Sequence, residues 1–190
     1  MLTTFLTMGG IFTSYTYFTV VFDRVIGGDG ILLGALLVLW GAAGTIANLI
    51  SGRLIDVIGS RKVLFALLTM QVIVTALLPW AGANLWTAAL AIALWGGSGW
   101  GYLAPQQHRL VTAAPQAAPV VLGLNNSFSY LGLSIGGVVG ALGLRIVGPH
   151  YLPLIGVVLN IGAFVAAELA SRSIIAADLR QRPGAALSTP

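Results

Sequence analysis

Apolar runs long enough to cross a bilayer alternate with short polar breaks along this 190-residue chain. Residues 31–51 and 63–83 contain no charged residue, and each matches the ~20 residues an α-helix needs to span a hydrocarbon core. Similar runs occupy 2–22, 85–104, 120–142 and 151–170. The pattern predicts an all-α membrane protein with six transmembrane helices packed as one bundle over 1–172. Residues 173–190 form a polar tail containing Pro and Gly, expected to be cytoplasmic and disordered. The first run lacks a basic leader and a small-x-small cleavage site and is too long for a secretory signal core, so it reads as a spanning helix. Because that helix starts at residue 2, the chain has the look of a piece cut from something longer, although Met1 also fits a short gene.

Between the second and third runs lies the stretch Gly52 to Leu64, G-R-L-I-D-V-I-G-S-R-K-V-L. It holds two glycines, one carboxylate and three cations, and is expected to be the loop of a tight membrane hairpin. A second polar loop, Asp23 to Gly30, follows the first run. Pro105 through Arg109 mark the polar end of the fourth, and Pro115 and Pro119 precede the fifth.

Composition agrees with the pattern: 57% of residues are hydrophobic and 7% charged, against about 25% charged in soluble domains. Mean hydropathy is +0.95. The net charge of +4 comes from nine scattered Lys and Arg rather than a dense basic stripe, so nucleic acid is not an expected partner. The basic residues report topology instead. Arg53, Arg61, Lys62, Arg109, Arg172, Arg180 and Arg182 fall on one side of the predicted bundle, and Arg24 and Arg145 on the other. By the positive-inside rule, both termini and the Gly52–Leu64 turn are expected in the cytoplasm. With no cysteine, the chain has no disulfide, thiolate chemistry or Cys-ligated metal, and no metal or other cofactor is expected.

Polar groups at membrane depth mark either a water-filled cavity or interhelical hydrogen bonds. Asn125, Asn126, Ser127 and Ser129 in the fifth run stand open to both readings. Trp95, Trp100 and Tyr102, with Tyr15 and Tyr17, form a candidate aromatic wall, whereas Trp80 and Trp86 lie where interfacial belts occur. Gln71 and Asn48 read as links between helices. Gly132, Gly136 and Gly140 recur every four residues and predict a face that a neighbouring backbone can approach closely. Neither Asp, Glu nor His occupies the middle of a run, and Glu168 is placed to pair with Arg172 at i,i+4.

The central turn resembles the signature loop G-x-L-a-D-r-x-G-r-k of the major facilitator superfamily. Gly52, Leu54, Asp56, Gly59 and Arg61 match it, while Val57 and Ser60 depart from positions usually basic. Pro105 to Leu110, Ala117 to Pro119, Leu122 to Asn126 and Tyr130 to Gly132 resemble helices ten and eleven of the arabinose-efflux-like drug:proton antiporter permeases; Thr16–Tyr17 is similar to their helix seven. The resemblance implies the C-terminal half of a twelve-helix transporter of the bacterial inner membrane. It implies an efflux permease working by alternating access, exporting a small organic solute such as a sugar or drug in exchange for protons. It also implies a partner in the bilayer, either a missing N-terminal six-helix half carrying the coupling groups or a second copy of this chain.

From the residues and the resemblance together, Gly52, Leu54, Asp56, Gly59, Arg61 and Arg109 are expected to form a conformational latch. Asp56 would accept from a neighbouring helix N-terminus or pair with Arg61 or Arg109, and a static positive anchor is the alternative. Tyr15, Tyr17, Trp95, Gln106, Asn125 and Asn126 are the substrate-cavity candidates. A six-helix uniporter or scaffold formed by self-dimerisation is the second reading. Gly97-Ser98-Gly99 after Gly96 resembles the serine motif of rhomboid proteases, but the sixth run has no histidine, leaving the serine without a base.

Overall fold

The computed structural model describes the backbone through Gln181 and the side chains through residue 172. The described residues are helical throughout, with no strand. Helices α1 (Leu2–Tyr15), α2 (Phe18–Val21) and α3 (Asp23–Ile26) lead into α4 (Gly30–Ile58), α5 (Ser60–Ala81), α6 (Leu85–Gly101) and α7 (Leu103–Ala113). A 3₁₀ turn at Pro115–Ala117 precedes α8 (Ala118–Gln181), which folds back at Gly148 into limbs 118–147 and 149–181.

Capping residues set where α4 and α6 start. Asp29 Oδ1 accepts from the backbone N–H groups of Ile31 and Leu32 at 2.8 and 3.1 Å, and Asn84 Oδ1 accepts from that of Thr87 at 3.0 Å. Helix α4 ends at Gly59, whose φ of 87° suits glycine and little else, and α5 begins at the next residue. The hairpin loop expected over 52–64 is thus a one-residue turn: 52–58 belong to α4 and 60–64 to α5, because only Gly59 interrupts an otherwise helix-compatible stretch.

Helix α1 is the centre of the bundle. Its threonines can be buried because Thr7 and Thr13 return their hydroxyls to the carbonyls of Thr3 and Gly9, at 2.8 and 2.7 Å. Limb 118–147 runs parallel to α1, Gly132 against Phe5, Gly136 against Gly9 and Gly140 against Thr13. A β-carbon at Gly136 would lie 2.6 Å from the Gly9 carbonyl oxygen, so the four-residue glycine spacing is a close backbone seam. On the other side of α1, limb 149–181 runs antiparallel, with Gly156 and Asn160 against Gly10. Helices α4 and α6 form a parallel pair, Gly44 receiving Trp100 and Gly96 receiving Trp40. Helix α5 lies antiparallel to α6 and to the second limb, joined by Ser98 Oγ donating to Gln71 Oε1 at 2.6 Å, Gln71 Nε2 to Thr75 Oγ1 at 3.3 Å and Asn160 Nδ2 to Thr75 Oγ1 at 3.5 Å. Gln71 is the interhelical link that its mid-helix position predicts.

Three helical stretches are long and apolar enough to cross a membrane: Gly30–Ile58, Ser60–Ala81 and the folded stretch Pro115–Arg172. Helices α1 and α6 stop at 14 and 17 residues, because the chain breaks at Thr16–Tyr17 and at Tyr102 before resuming in α2 and α7. The break at Tyr102 puts Pro105 in the first turn of α7, where its missing N–H is harmless. The polar end expected at 105–109 is accordingly helical. Helix α8 likewise continues to Gln181, into the tail read as disordered from 173, since no Gly or Pro interrupts 173–181; residues 182–190 lie outside the described residues. Apolar side chains such as Ile31 and Val158 cover the outside, and Trp80 and Trp86 are exposed at the turn between α5 and α6.

Candidate functional site

Two recesses meet at Trp100. One of about 120 Å³ runs between α7, α1 and limb 118–147, with Gln107, Asn126, Ser129 and Tyr130 among its walls. The other, of about 350 Å³, lies against α4 and is lined by Trp40, Gly41, Gly44, Thr45, Asn48 and Trp100. Gly44 seats the Trp100 ring, since a β-carbon there would be 2.5 Å from its Cδ1. Asn48, Gln107 and Asn126 are exposed, and their side chains have no hydrogen-bond partner among the described residues. Three free amides on an otherwise apolar exterior are costly in hydrocarbon. Such groups suit water, a solute or another polypeptide.

The expected cavity residues divide between this face and the interior. Asn126 lines the smaller recess, and Asn125 borders it but is 1% exposed. Asn125 Oδ1 accepts from Thr4 Oγ1 at 2.6 Å, and Gln106 Nε2 donates to the same hydroxyl at 3.4 Å. Thr4 therefore ties α1 to α7 and α8, with both amides occupied inside the protein. Trp95 is fully buried, and Tyr15 stacks on Trp40 with ring centroids 4.2 Å apart. Tyr17 donates its hydroxyl to the Gly137 carbonyl at 3.0 Å and its ring packs on Gly140. Trp95, Tyr15 and Tyr17 are packing groups here rather than recess walls, because Trp95 and Tyr15 pack with Phe18 and Trp40 in an aromatic cluster and Tyr17 lies against Gly140. Asn48 moves the other way, from expected link to recess lining. The i,i+4 pair Gly44 and Asn48, and the i,i+3,i+4 set Asn126, Ser129 and Tyr130, are the sequence signals that mark this face.

The residues of the expected latch are not brought together within the chain. Gly52, Leu54 and Asp56 are exposed on the end of α4, and Asp56 makes no hydrogen bond or ion pair with any described residue. Arg61 Nη2 instead meets Glu168 Oε2 at 3.3 Å, and Glu168 Oε1 also holds Arg172 Nε at 2.8 Å, the i,i+4 pair its spacing predicts. Arg109 Nη2 donates to Ser171 Oγ at 2.7 Å, and Ser171 Oγ donates to the Ala167 carbonyl at 2.8 Å. Burial, and secondarily the Arg61 charge, lower the pKa of Arg109 from its usual value. Both arginines face the second limb of α8, since α5 and α7 pack there, whereas Asp56 lies on the neighbouring helix end. The expected pairing of Asp56 with Arg61 or Arg109 is absent for that reason.

Long apolar helices with an apolar exterior mark the chain as a membrane protein, and the polar, aromatic face at Trp100 gives it a surface suited to a solute or another polypeptide. Ser98, of the Gly97-Ser98-Gly99 stretch, is buried and donates to Gln71. A family model described as the Major Facilitator Superfamily matches residues 1–137, and the chain belongs to that superfamily. It is similar to the inner membrane transport protein YdhP of Escherichia coli O157:H7, 32% identical over 162 residues, which is 83% of this chain and 41% of that protein. It is also similar to the uncharacterized MFS-type transporter YbcL of Bacillus subtilis strain 168, 25% identical over 139 residues, 73% of this chain and 36% of that one. The chain thus spans about two fifths of the length of the curated relatives it matches.

Proposed function

We propose that this chain is the C-terminal six-helix half of an inner-membrane efflux permease, carrying a small organic solute by alternating access in exchange for protons. Six helical segments alternating in direction support six crossings, with the short α1 and α6 completed by α2 and α7. The seven-to-two distribution of basic residues supports cytoplasmic termini. The carrying observation is the set of free amides around Trp100: Asn48, Gln107 and Asn126 are satisfied when this face lines a hydrated cavity against the other half. An aromatic ring beside neutral amides suits an uncharged or amphipathic solute, sugar and drug alike. Asp56, exposed and without a partner among the described residues, then acts as a latch toward a helix N-terminus of the missing half rather than toward Arg61 or Arg109. The proton-coupling groups belong to that half, because Asp23, Asp29, Asp56 and His150 lie near helix ends here, His108 lies in the last two turns of α7, and Glu168 is held in ion pairs with Arg61 and Arg172.

This chain contains no cysteine, so labelling tests the cavity once any cysteine of the upstream half is replaced. In the protein joined to its upstream half, Asn48→Cys and Asn126→Cys react with a hydrophilic maleimide and are protected by transported solute, while Val158→Cys on the outer face does not react. Unreactive cysteines at positions 48 and 126 would assign the amide face to a closed contact and overturn the cavity.

A further inference from the structure

A third recess, sharing no lining residue with the two at Trp100, lies at the far end of α7. It measures about 250 Å³ and is lined by Ser60, Arg61, His108, Arg109, Thr112 and Ser171. Three independent features make it suited to a phosphate. Arg61 and Arg109 contribute two guanidinium groups, one of which, Arg109, is half-buried and held by the neutral Ser171 hydroxyl. Glu168, the carboxylate facing them, is shared between Arg61 and Arg172 and cannot neutralise the whole cluster. Finally, α5 starts here after Gly59 with no side chain capping it, so the uncapped, positive end of its dipole lies at the wall of the recess that Ser60 and Arg61 form.

What lies beyond the recess selects the kind of phosphate. The Arg61 guanidinium sits 5.7 Å from the centroid of the Phe65 ring, which meets Phe164 edge-on at 5.1 Å. Beside that contact the second limb exposes Leu169, Val165, Ile161 and Val158 in a stripe running away from the charges. A charged pocket continuous with an apolar track matches an anionic head group attached to acyl chains, and basic pockets between spanning helices bind such lipids. We propose that the recess seats the phosphate of an anionic phospholipid, whose chains lie along Phe65, Phe164 and the exposed stripe. Lipid binding competes with Glu168 for Arg61, so it loosens the link between α5 and the second limb. The proposal rests on the chain's placement in a bilayer and is independent of what is transported.

Native mass spectrometry of the detergent-solubilised full chain tests it, with equimolar phosphatidylglycerol and phosphatidylcholine as probes. Phosphatidylglycerol adducts survive at higher collision energy than phosphatidylcholine adducts. Arg61→Gln and Arg109→Gln each reduce phosphatidylglycerol retention about fivefold, the effect of one basic charge near a membrane surface. Lys62→Gln, an exposed cation outside the recess, leaves retention unchanged, Glu168→Gln raises it, and Phe65→Ala lowers it without altering any charge. Each variant is first checked by size-exclusion chromatography. Equal retention of the two lipids, or equal effects of Arg109→Gln and Lys62→Gln, would overturn the site. Displacement of phosphatidylglycerol by equimolar glycerol 3-phosphate would reassign it to a soluble phosphate. Because no transport is measured, failure here is distinguishable from failure of the permease reading.

Discussion

Gly136 and Gly9 bring two helix backbones together so closely that a single added β-carbon at Gly136 would stand 2.6 Å from the Gly9 carbonyl oxygen. The helices in contact are α1 and the first limb of α8, which carry Thr4 between one and two turns from Gly9 and Asn125 about three turns from Gly136. The seam therefore fixes the position of the polar groups bordering the smaller recess. Gly136→Val should destabilise the bundle by about 1–3 kcal/mol through overpacking. Gly123→Val, at an exposed position with open space around it, should cost less than half as much. Thermal unfolding in detergent checks the contrast; equal losses would mean that the seam does not hold α1.

Asn125 and Asn126 should separate stability from selectivity. Asn125→Leu leaves the buried Thr4 hydroxyl without its 2.6 Å acceptor and should lower stability by about 1–3 kcal/mol. Asn126→Leu removes an exposed amide, so it should leave the unfolding temperature unchanged while shifting the inhibitor profile of the joined transporter. The reverse pattern would exchange their roles.

Asp56→Asn should impair transport in the joined protein with normal membrane insertion, and should leave the stability of this chain alone unchanged, because Asp56 has no partner among the described residues. Unchanged flux at normal expression would remove the latch. A stability loss in the isolated chain would place its partner inside this half.

At the other end of the bundle, His150 Nε2 lies 3.4 Å from Arg24 Nη1. Burial first, and the Arg24 charge second, hold the His150 pKa below its usual value, about 6.5. The fold thus favours neutral imidazole: the contact's stabilisation is complete above about pH 6.5 and is lost as pH falls through the lowered folded value. Replacing Arg24 with Gln should move the His150 midpoint upward in an NMR titration. An unmoved midpoint would leave burial as the sole cause.

Much of the architecture is legible in the sequence because its signals are local. Uncharged runs of membrane length, a tight turn between the second and third runs, the i,i+4 pair of Glu168 with Arg172 and the every-fourth glycine seam each depend on a few neighbouring residues. What escapes is set by distant contacts. Neighbours on a helix differ by about 100° in direction, so no local pattern tells that Asn125 faces Thr4 while Asn126 faces the recess. Trp95 and Trp100 pose the same problem, resolved only by Gly44 on another helix. The partner of Arg61 lies 107 positions away, and Asp56, the nearer carboxylate in sequence, is on the wrong helix end. Helix α7 was hidden by Pro105, which reads as a stop until the break at Tyr102 makes it a first-turn residue.

The central claim is that this chain supplies one wall of a two-half, proton-linked carrier. Proteoliposomes bearing this chain alone, compared with the same chain joined to its native upstream sequence, test it most directly under an imposed pH gradient. Proton-linked solute movement is expected only in the joined form. Equal activity of the chain alone would contradict it and establish a self-assembling six-helix carrier with its energy coupling within these residues.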